Sequence, residues 1–131
     1  MSVPSELELK LTLDGWSANT SRRTQGIAFI ALEPEEARTK LESFRSSNEC
    51  RILVCPLLDW SWSDIANKVS GVVTDHGTRV SRGSEVSGIV QVPAVLGTRI
   101  ATKEINDGDY IFIICEGNEA QAKIFTKKKP K

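Results

Sequence analysis

Residues 71–97 decide the fold and read GVVTDHGTRVSRGSEVSGIVQVPAVLG. The apolar start, residues 71–74, predicts a short buried strand, and the polar, glycine-containing residues 75–78 predict a turn. Apolar residues then recur at helical spacing, which predicts a helix over about residues 81–90. The predicted buried residues of this helix are Val86, Ile89 and Val90. Residues 93–97 predict a second short strand, so one stretch supplies a strand, a turn, a helix and a strand.

The flanking sequence predicts further strands and helices. Leucines alternate with polar residues from Leu7 to Leu13, which predicts a half-buried strand, and the polar residues 15–25 predict a loop. Pro34 and two following glutamates predict a helix start. The other predicted strands are residues 26–32, 51–55, 110–115 and 121–125, separated near the end of the chain by turns at 106–109 and 116–119. A further helix, capped by Ser61 or Ser63, is predicted to bury Ile65, Ala66 and Val69.

These elements predict an α+β fold, a single compact domain with about three helices around a mixed sheet. The stretch from residue 74 resembles the phosphohistidine-bearing swivelling (mobile) domain of the phosphoenolpyruvate-utilising enzymes, whose pattern is TDxGGxxSHAAxxARxxxxPAVxG. The positions that match include Thr74, Asp75, Gly77, Ser81, Pro93, Ala94, Val95 and Gly97. The likeness continues into residues 52–60 and 101–109, where ILV, Pro56 and AT…DGD fit the family. It implies a swivelling β/β/α domain.

The histidine that accepts phosphate in this family falls on Arg82 of the present sequence. A guanidinium cannot take up and release a phosphoryl group as imidazole does, because its lone pairs are delocalised and its pKa exceeds about 12. The resemblance therefore implies a domain that keeps the family's backbone and lacks its acceptor. We expect no phosphotransferase activity from this chain alone.

The start of the predicted helix is our candidate anion site. Unpaired N–H groups and the helix dipole favour an anion there, and Arg82 would add a planar donor fork suited to phosphate. The candidate phosphate- or anion-binding residues are Thr74, Gly77, Thr78, Arg79, Ser81, Arg82, Gly83 and Ser84. The alternative is that Ser81 only caps the helix and that Arg82 is solvated or paired with Glu85 or Asp75.

Other side chains invite competing interpretations. His76, the single histidine, lies six residues before Arg82 and is either a relocated phosphate acceptor or an ordinary loop residue. Trp60 and Trp62 share one face if their segment is extended, where they would pack in the core or mark a partner surface. Three aspartates could suggest a metal, but no spacing fixes their geometry, so we predict none. They are Asp59, Asp64 and Asp75.

Composition excludes several classes of protein. The chain has 131 residues with 17 basic and 17 acidic side chains, yet four lysines lie within residues 127–131, so residues 1–126 carry a net charge of −4. This acidic body predicts no nucleic-acid partner. Residues 1–10 lack a signal-peptide pattern and no run approaches about 18 apolar residues, which predicts no membrane partner and a cytoplasmic location. Three cysteines make a poor disulfide framework, and Cys55 and Cys115 lie in apolar runs as expected of buried hydrophobes.

We therefore expect an N-terminal strand or arm at residues 1–14, a swivelling domain at 15–126 and a disordered basic tail at 127–131. The expected role is that of a stand-alone subunit of a multi-component phosphotransferase- or ligase-like enzyme. Its expected protein partner is a nucleotide- or phosphoenolpyruvate-binding subunit. The chain alone would bind no cofactor and would meet phosphate, phosphoenolpyruvate or ATP through that partner. A non-catalytic scaffold or regulatory module, and a phosphate acceptor at His76, remain the alternatives.

Overall fold

The computed structural model describes residues 6–18, 22–78 and 80–127. This part of the chain forms one seven-stranded sheet with helices packed against it. The strands are β1 (Leu7–Trp16), β2 (Arg22–Ile30), β3 (Arg51–Cys55), β4 (Gly71–Thr74), β5 (Ala94–Val95), β6 (Tyr110–Glu116) and β7 (Glu119–Lys127). The helices are α1 (Pro34–Ser43), α2 (Ser63–Ala66), α3 (Arg82–Val90) and α4 (Ala101–Glu104), with a 3₁₀ turn at Trp60–Trp62. The α+β fold expected from the sequence is confirmed.

The sheet has an antiparallel half and a parallel half. Its strand order is β1-β7-β6-β2-β3-β4-β5; pairing is antiparallel from β1 to β2 and parallel from β2 to β5. The parallel strands β3 and β4 have short apolar sequences because helices cover one of their faces and the rest of the curled sheet covers the other. Trp16 and Leu96 then exchange two backbone hydrogen bonds of 2.8 and 2.9 Å, which join β1 to the residue after β5.

This closure divides the buried side chains into two clusters. One cluster lies on the concave side of the sheet and includes Leu13, Ile52, Ile111, Ile113 and Ile124. The other lies between the sheet and the helices and includes Phe29, Leu53, Ile65, Val86 and Leu96. At about 25 cal/mol per Å² of apolar surface removed from water, these two clusters supply the dominant stabilisation of the fold.

The structure corrects several predicted boundaries. The predicted loop 15–25 is shorter, because β1 continues to Trp16 against β7 and β2 begins at Arg22 against β6. The predicted arm 1–14 ends inside β1, which is an integral edge strand. Lys127, assigned to the basic tail, is the last residue of β7 and pairs with Leu7; residues 128–131 lie outside the described part. The single turn α4 was not predicted, since ATKE carries no helix-start signal.

The helices also differ from the sequence expectation. In α3, Val86 is buried as predicted, but Ile89 is 66% exposed because it lies on the side of the helix away from the sheet. The helix α2 is only four residues long, so Val69 lies beyond its end. Neither serine caps it; instead Asp59 accepts a hydrogen bond of 2.9 Å from the Ser61 N–H at the start of the 3₁₀ turn.

Candidate functional site

Thr74 ends β4 and joins two loops. Its hydroxyl donates to the carbonyl of His76 at 2.7 Å and accepts from the Gly97 N–H at 3.4 Å. Its carbonyl accepts from the N–H and from the hydroxyl of Thr98, both at 2.9 Å. Thr74 is fully buried, and its hydrogen bonds connect the loop after β4 to the loop after β5. Of the proposed anion-binding residues, Thr74 is therefore a support of the loop.

Asp75 continues this connection. Its carboxylate accepts from the Thr102 N–H at 2.8 Å and from the Thr102 hydroxyl, and its side chain is largely buried. The bond to Thr102 satisfies an N–H group in the first turn of α4, as a capping side chain does. The expected alternative of an ion pair between Asp75 and Arg82 is not formed. Sequence reasoning missed the role of Thr102, although the AT at residues 101–102 was part of the family likeness.

Gly77 and Gly97 let the two loops touch backbone to backbone. Gly97 has φ +74°, and a Cβ on it would lie 2.4 Å from the carbonyl oxygen of Gly77. Gly77 has φ +132°, a conformation that residues with side chains rarely adopt. The glycines of the motif are thus explained by steric contact within the fold.

Ser81 lies at the N-cap position of α3 but does not cap it. Its hydroxyl accepts from the Thr78 N–H at 3.1 Å and donates to the Thr78 carbonyl at 2.9 Å, closing a tight turn before the helix. The cap expected from the sequence is therefore wrong. Within the described residues, the N–H groups of Arg82, Gly83 and Ser84 have no hydrogen-bond partner. At the positive end of this nine-residue helix, no described residue satisfies these three N–H groups.

Arg82 is the first residue of this helix, and its side chain is exposed. Its guanidinium makes no hydrogen bond or ion pair with any residue of the part described, so the alternative pairing with Glu85 is not formed either. The next residue, Gly83, is buried because the helix start packs on Leu58: a Cβ on Gly83 would lie 3.2 Å from the Leu58 carbonyl oxygen. Arg79, also named in the predicted site, lies outside the described residues.

His76 lies in the loop between β4 and α3, and its side chain is exposed. Its N–H donates to the carbonyl of Pro56 at 2.9 Å and its carbonyl accepts from Thr74, so its backbone is fixed at the end of the sheet. The imidazole has no hydrogen-bond or ion-pair partner in the described ranges. The structure therefore leaves both interpretations of His76 open to experiment.

The two tryptophans face different environments. Their segment is a 3₁₀ turn, so the shared face expected of an extended strand is wrong. Trp62 is 4% exposed and belongs to the cluster under the helices, whereas Trp60 is 39% exposed. The 3₁₀ turn packs on α3, which places Trp60 in an element that supports the start of α3.

The three aspartates have separate partners. Asp59 caps the 3₁₀ turn, Asp75 holds Thr102, and Asp64 forms a two-bond ion pair with Arg38 at 2.9 and 3.1 Å. The hydrogen bond to Arg38 is the main cause that lowers the pKa of Asp64 from its ordinary value. Among the described residues no three His, Cys, Asp or Glu side chains come together as a metal site would require.

The cysteine expectation is confirmed for the two apolar strands. Cys55 and Cys115 are buried, and desolvation raises the pKa of each thiol above its ordinary value. Both thiols therefore stay protonated and unreactive at neutral pH. Cys50 is exposed and free.

Known proteins are similar to this chain in sequence. The family model described as "PEP-utilising enzyme, mobile domain" matches residues 47–117, which is 71 of the 131 residues. The chain is 31% identical over 98 residues to the "Uncharacterized phosphotransferase YvkC" of Bacillus subtilis, covering 72% of this chain and 12% of that protein. It is 28% identical over 130 residues to the "Probable phosphoenolpyruvate synthase" of Archaeoglobus fulgidus, covering 98% of this chain and 16% of that protein.

A solved structure agrees on the fold. The solution NMR structure of a UPF0107 protein superimposes with a TM-score of 0.51 at 14% identity, covering 84% of this chain and 97% of the other. The chain belongs to the family of PEP-utilising enzyme mobile domains. In the described ranges, none of the helices has the length and apolar character needed to cross a bilayer.

Proposed function

We propose that this chain is a mobile-domain component of a multi-component phosphotransferase- or ligase-like enzyme, in which Arg82 holds an anionic group without accepting it covalently. The observation that supports the proposal is the start of α3, where three backbone N–H groups and the Arg82 guanidinium have no partner among the described residues. The resemblance that aligns Arg82 with the family's acceptor histidine supports a binding role at this position. In the proposed site, the backbone around Arg82 is that of Gly77, Thr78, Ser81, Gly83 and Ser84.

The proposed site favours phosphate for electrostatic reasons. The helix dipole is positive at this end, and Arg82 adds a full charge that no carboxylate of the described part neutralises by direct contact. A dianionic phosphate could gain one or two charge-assisted hydrogen bonds, each worth about 1.5–3 kcal/mol before desolvation is subtracted. Because Arg82 is exposed, we expect affinities from millimolar to high micromolar.

The proposal also requires a partner. The relatives named above are several times longer, and this chain spans 12–16% of them. A nucleotide- or phosphoenolpyruvate-binding component would supply the phosphoryl group and the chemistry, and the present chain would supply the anion-holding surface. In this role the chain works in the cytoplasm, where ATP and phosphoenolpyruvate are available.

An NMR titration tests the anion site. Inorganic phosphate, phosphoenolpyruvate and ATP are each added to the chain while backbone amide shifts are followed. We expect the amides of Gly77, Arg82, Gly83 and Ser84 to move, and the Arg82→Ala variant to weaken binding at least fivefold. The matched control is Arg45→Ala, which removes an exposed arginine paired only with Glu42 in α1 and should leave the titration unchanged.

Two results would contradict the proposal. If these amides stay still with every anion, the start of α3 is not an anion site, and a scaffold role becomes the better interpretation.

The second result concerns His76, whose exposed imidazole favours it as an alternative acceptor. Incubation with labelled ATP or phosphoenolpyruvate and Mg²⁺ should leave no acid-labile phosphate on the chain. Label that disappears in His76→Ala would establish a relocated acceptor instead.

A further inference from the structure

A cleft of about 870 Å³ lies at the seam where the end of β1 meets the loop after β5. Its lining includes Trp16, Arg23, Thr98, Arg99, Glu119 and Gln121, and none of the α3 residues of the proposed anion site. The volume falls within the roughly 300–1,000 Å³ range of small-molecule sites. Neither the family likeness nor the proposed function assigns a role to this cleft.

Arg99, which lines the cleft, has a strained backbone conformation. Its φ is +77°, a conformation that crowds a side chain and that glycine adopts freely. The Arg99 N–H donates to the Asp75 carbonyl at 2.8 Å, and the neighbouring Thr98 is bonded to Thr74, so the surrounding structure holds the residue there. Since a glycine would make this turn without strain, what arginine adds is its side chain. Strain of this kind is characteristic of functional sites.

Trp16 provides a flat apolar surface in the same cleft. Its indole is 44% exposed, an unusual state for a large aromatic side chain. Its backbone is fixed by the paired hydrogen bonds to Leu96, and it packs beside Gly97, where an added Cβ would lie 3.5 Å from Trp16 Cδ1. The ring is therefore mounted on a rigid part of the sheet and can stack with a planar ligand.

The charges of the cleft are only partly paired. Arg23 and Glu116 form an ion pair of 3.5 Å, and Asp14 accepts a hydrogen bond of 2.9 Å from Gln121. Within the part of the chain described, the guanidinium of Arg99 and the carboxylate of Glu119 have no partner. The first is a planar fork for a phosphate or carboxylate, and the second accepts from hydroxyl or amino groups.

We propose that this cleft binds a mononucleotide, with the base stacked on Trp16, the phosphate on Arg99, and a hydroxyl or amino donor facing Glu119. A flat ring, an anionic group and hydrogen-bond donors are the three features that the lining complements, and a mononucleotide combines them in one molecule of suitable size. The site is separate from the start of α3, so it can be occupied whether or not an anion is held at Arg82.

The test uses AMP as the probe, with adenosine and inorganic phosphate as its two halves. AMP should quench the tryptophan fluorescence and move the amides of Gly15, Trp16, Thr98 and Arg99. Each half alone should bind at least tenfold more weakly at these amides. Trp16→Phe should abolish the quenching, whereas Trp60→Phe, which removes the other exposed tryptophan, should leave the affinity for AMP unchanged.

The Arg99→Gly variant distinguishes an effect on AMP binding from an effect on folding stability. Because glycine accepts φ +77° without strain, this variant should keep the thermal midpoint of the wild type or raise it, while its affinity for AMP falls at least tenfold. Arg82→Ala should bind AMP at the cleft within twofold of the wild type, which distinguishes this site from the proposed anion site. The inference is overturned if AMP leaves the cleft amides unmoved, or if Arg99→Gly binds AMP as tightly as the wild type. Equal affinity for phosphate and AMP at these amides would likewise overturn a site for a planar base.

Discussion

Thr74 and Asp75 belong to a motif associated with catalysis, yet both side chains are used in hydrogen bonds that hold the fold together. The hydroxyl of Thr74 and the carboxylate of Asp75 are both used to fasten the loop after β4 to the segment from Gly97 to Thr102. These residues hold the loop in place, whereas the side chain of Arg82, at the start of α3, is exposed. A sequence can therefore keep these two residues for the fold alone.

Replacing Gly97 with alanine should be severely destabilising. The residue has φ +74°, and the new Cβ would lie 2.4 Å from the Gly77 carbonyl oxygen, so both strain and a backbone clash arise. We expect the free energy of unfolding to fall by at least about 2 kcal/mol, measured by urea denaturation. The control is Gly117→Ala, where φ is +63° but no atom lies within 4 Å; it should lose only about 1 kcal/mol. Equal losses in the two variants would contradict the clash.

At the scale of elements, the two ends of α3 differ in how they are completed. Among the described residues the N–H groups of the first turn have no partner, whereas the last turn ends on Gln91 in the left-handed conformation, with φ 63°. The carbonyl of Gln91 accepts from Arg22 at 2.8 Å, which ties this end of the helix to β2. The helix is thus anchored at its C-terminal end and open at the end where we propose that it binds an anion.

Gln91→Gly should stabilise the protein. Glycine is the preferred residue where a helix ends in the left-handed conformation, and the hydrogen bond from Arg22 uses the backbone carbonyl, which the variant keeps. We expect a gain of about 0.5–1 kcal/mol in the free energy of unfolding. Glu85→Gly, at an exposed helical position of α3, should instead lose about 1 kcal/mol. Destabilisation by Gln91→Gly would show that the side chain has a role in the fold.

The ion pair between Arg38 and Asp64 connects α1 to α2 and should make stability depend on pH. The hydrogen bond from Arg38 lowers the pKa of Asp64 below its ordinary 3.8 in the folded state. The contribution is therefore present above pH 3.8 and is lost as the pH falls through the lower folded value. Because the pair is largely exposed, Asp64→Asn should lose no more than about 1 kcal/mol at pH 7, measured by urea denaturation.

The same variant has a clear signature in acid. Once the pH is below the folded pKa of Asp64, wild type and Asp64→Asn should have equal stability, because the carboxyl is then neutral in both states of the wild type. Glu42→Gln is the control, because Glu42 is paired with Arg45 just beyond the end of α1 and connects no second helix, so it should change stability less at pH 7. If wild type and Asp64→Asn still differ in stability in strong acid, the shape of the Asp64 side chain, and not its charge, connects the two helices.

At the scale of the whole molecule, the sheet keeps two of the three thiols away from solvent. Two of the three cysteines lie in β3 and β6 under the two buried clusters, and only Cys50 is exposed. A thiol reagent such as dithionitrobenzoate should therefore label one cysteine in the native protein and three after unfolding. Cys50→Ser should abolish the rapid labelling. Rapid reaction of a second thiol would show that a buried strand opens readily.

The sequence predicted the parts of this fold that depend on local patterns. The strand, turn and helix of residues 71–90 were predicted correctly because the spacing of apolar residues and the glycine turns are local signals in the sequence. Three features were missed because they depend on distant contacts. Asp75 bonding Thr102, Trp16 pairing with Leu96 and the cleft beside Arg99 all join segments far apart in the chain. Likewise Ile89 follows the helical period, and only the packing of α3 decides that it faces solvent.

The pairing of β1 with β7 has a consequence for synthesis on the ribosome. Leu7 pairs with Lys127, and the register continues to Trp16 opposite Glu119, so the first strand described pairs with the last. At about 5–20 residues per second, the nascent β1 waits roughly 5–20 s before its partner has been translated. During that interval its leucines and its backbone N–H and C=O groups are open to other chains. In this sheet, β1 is thus made before its partner and can be fixed by pairing only after β7 has been translated.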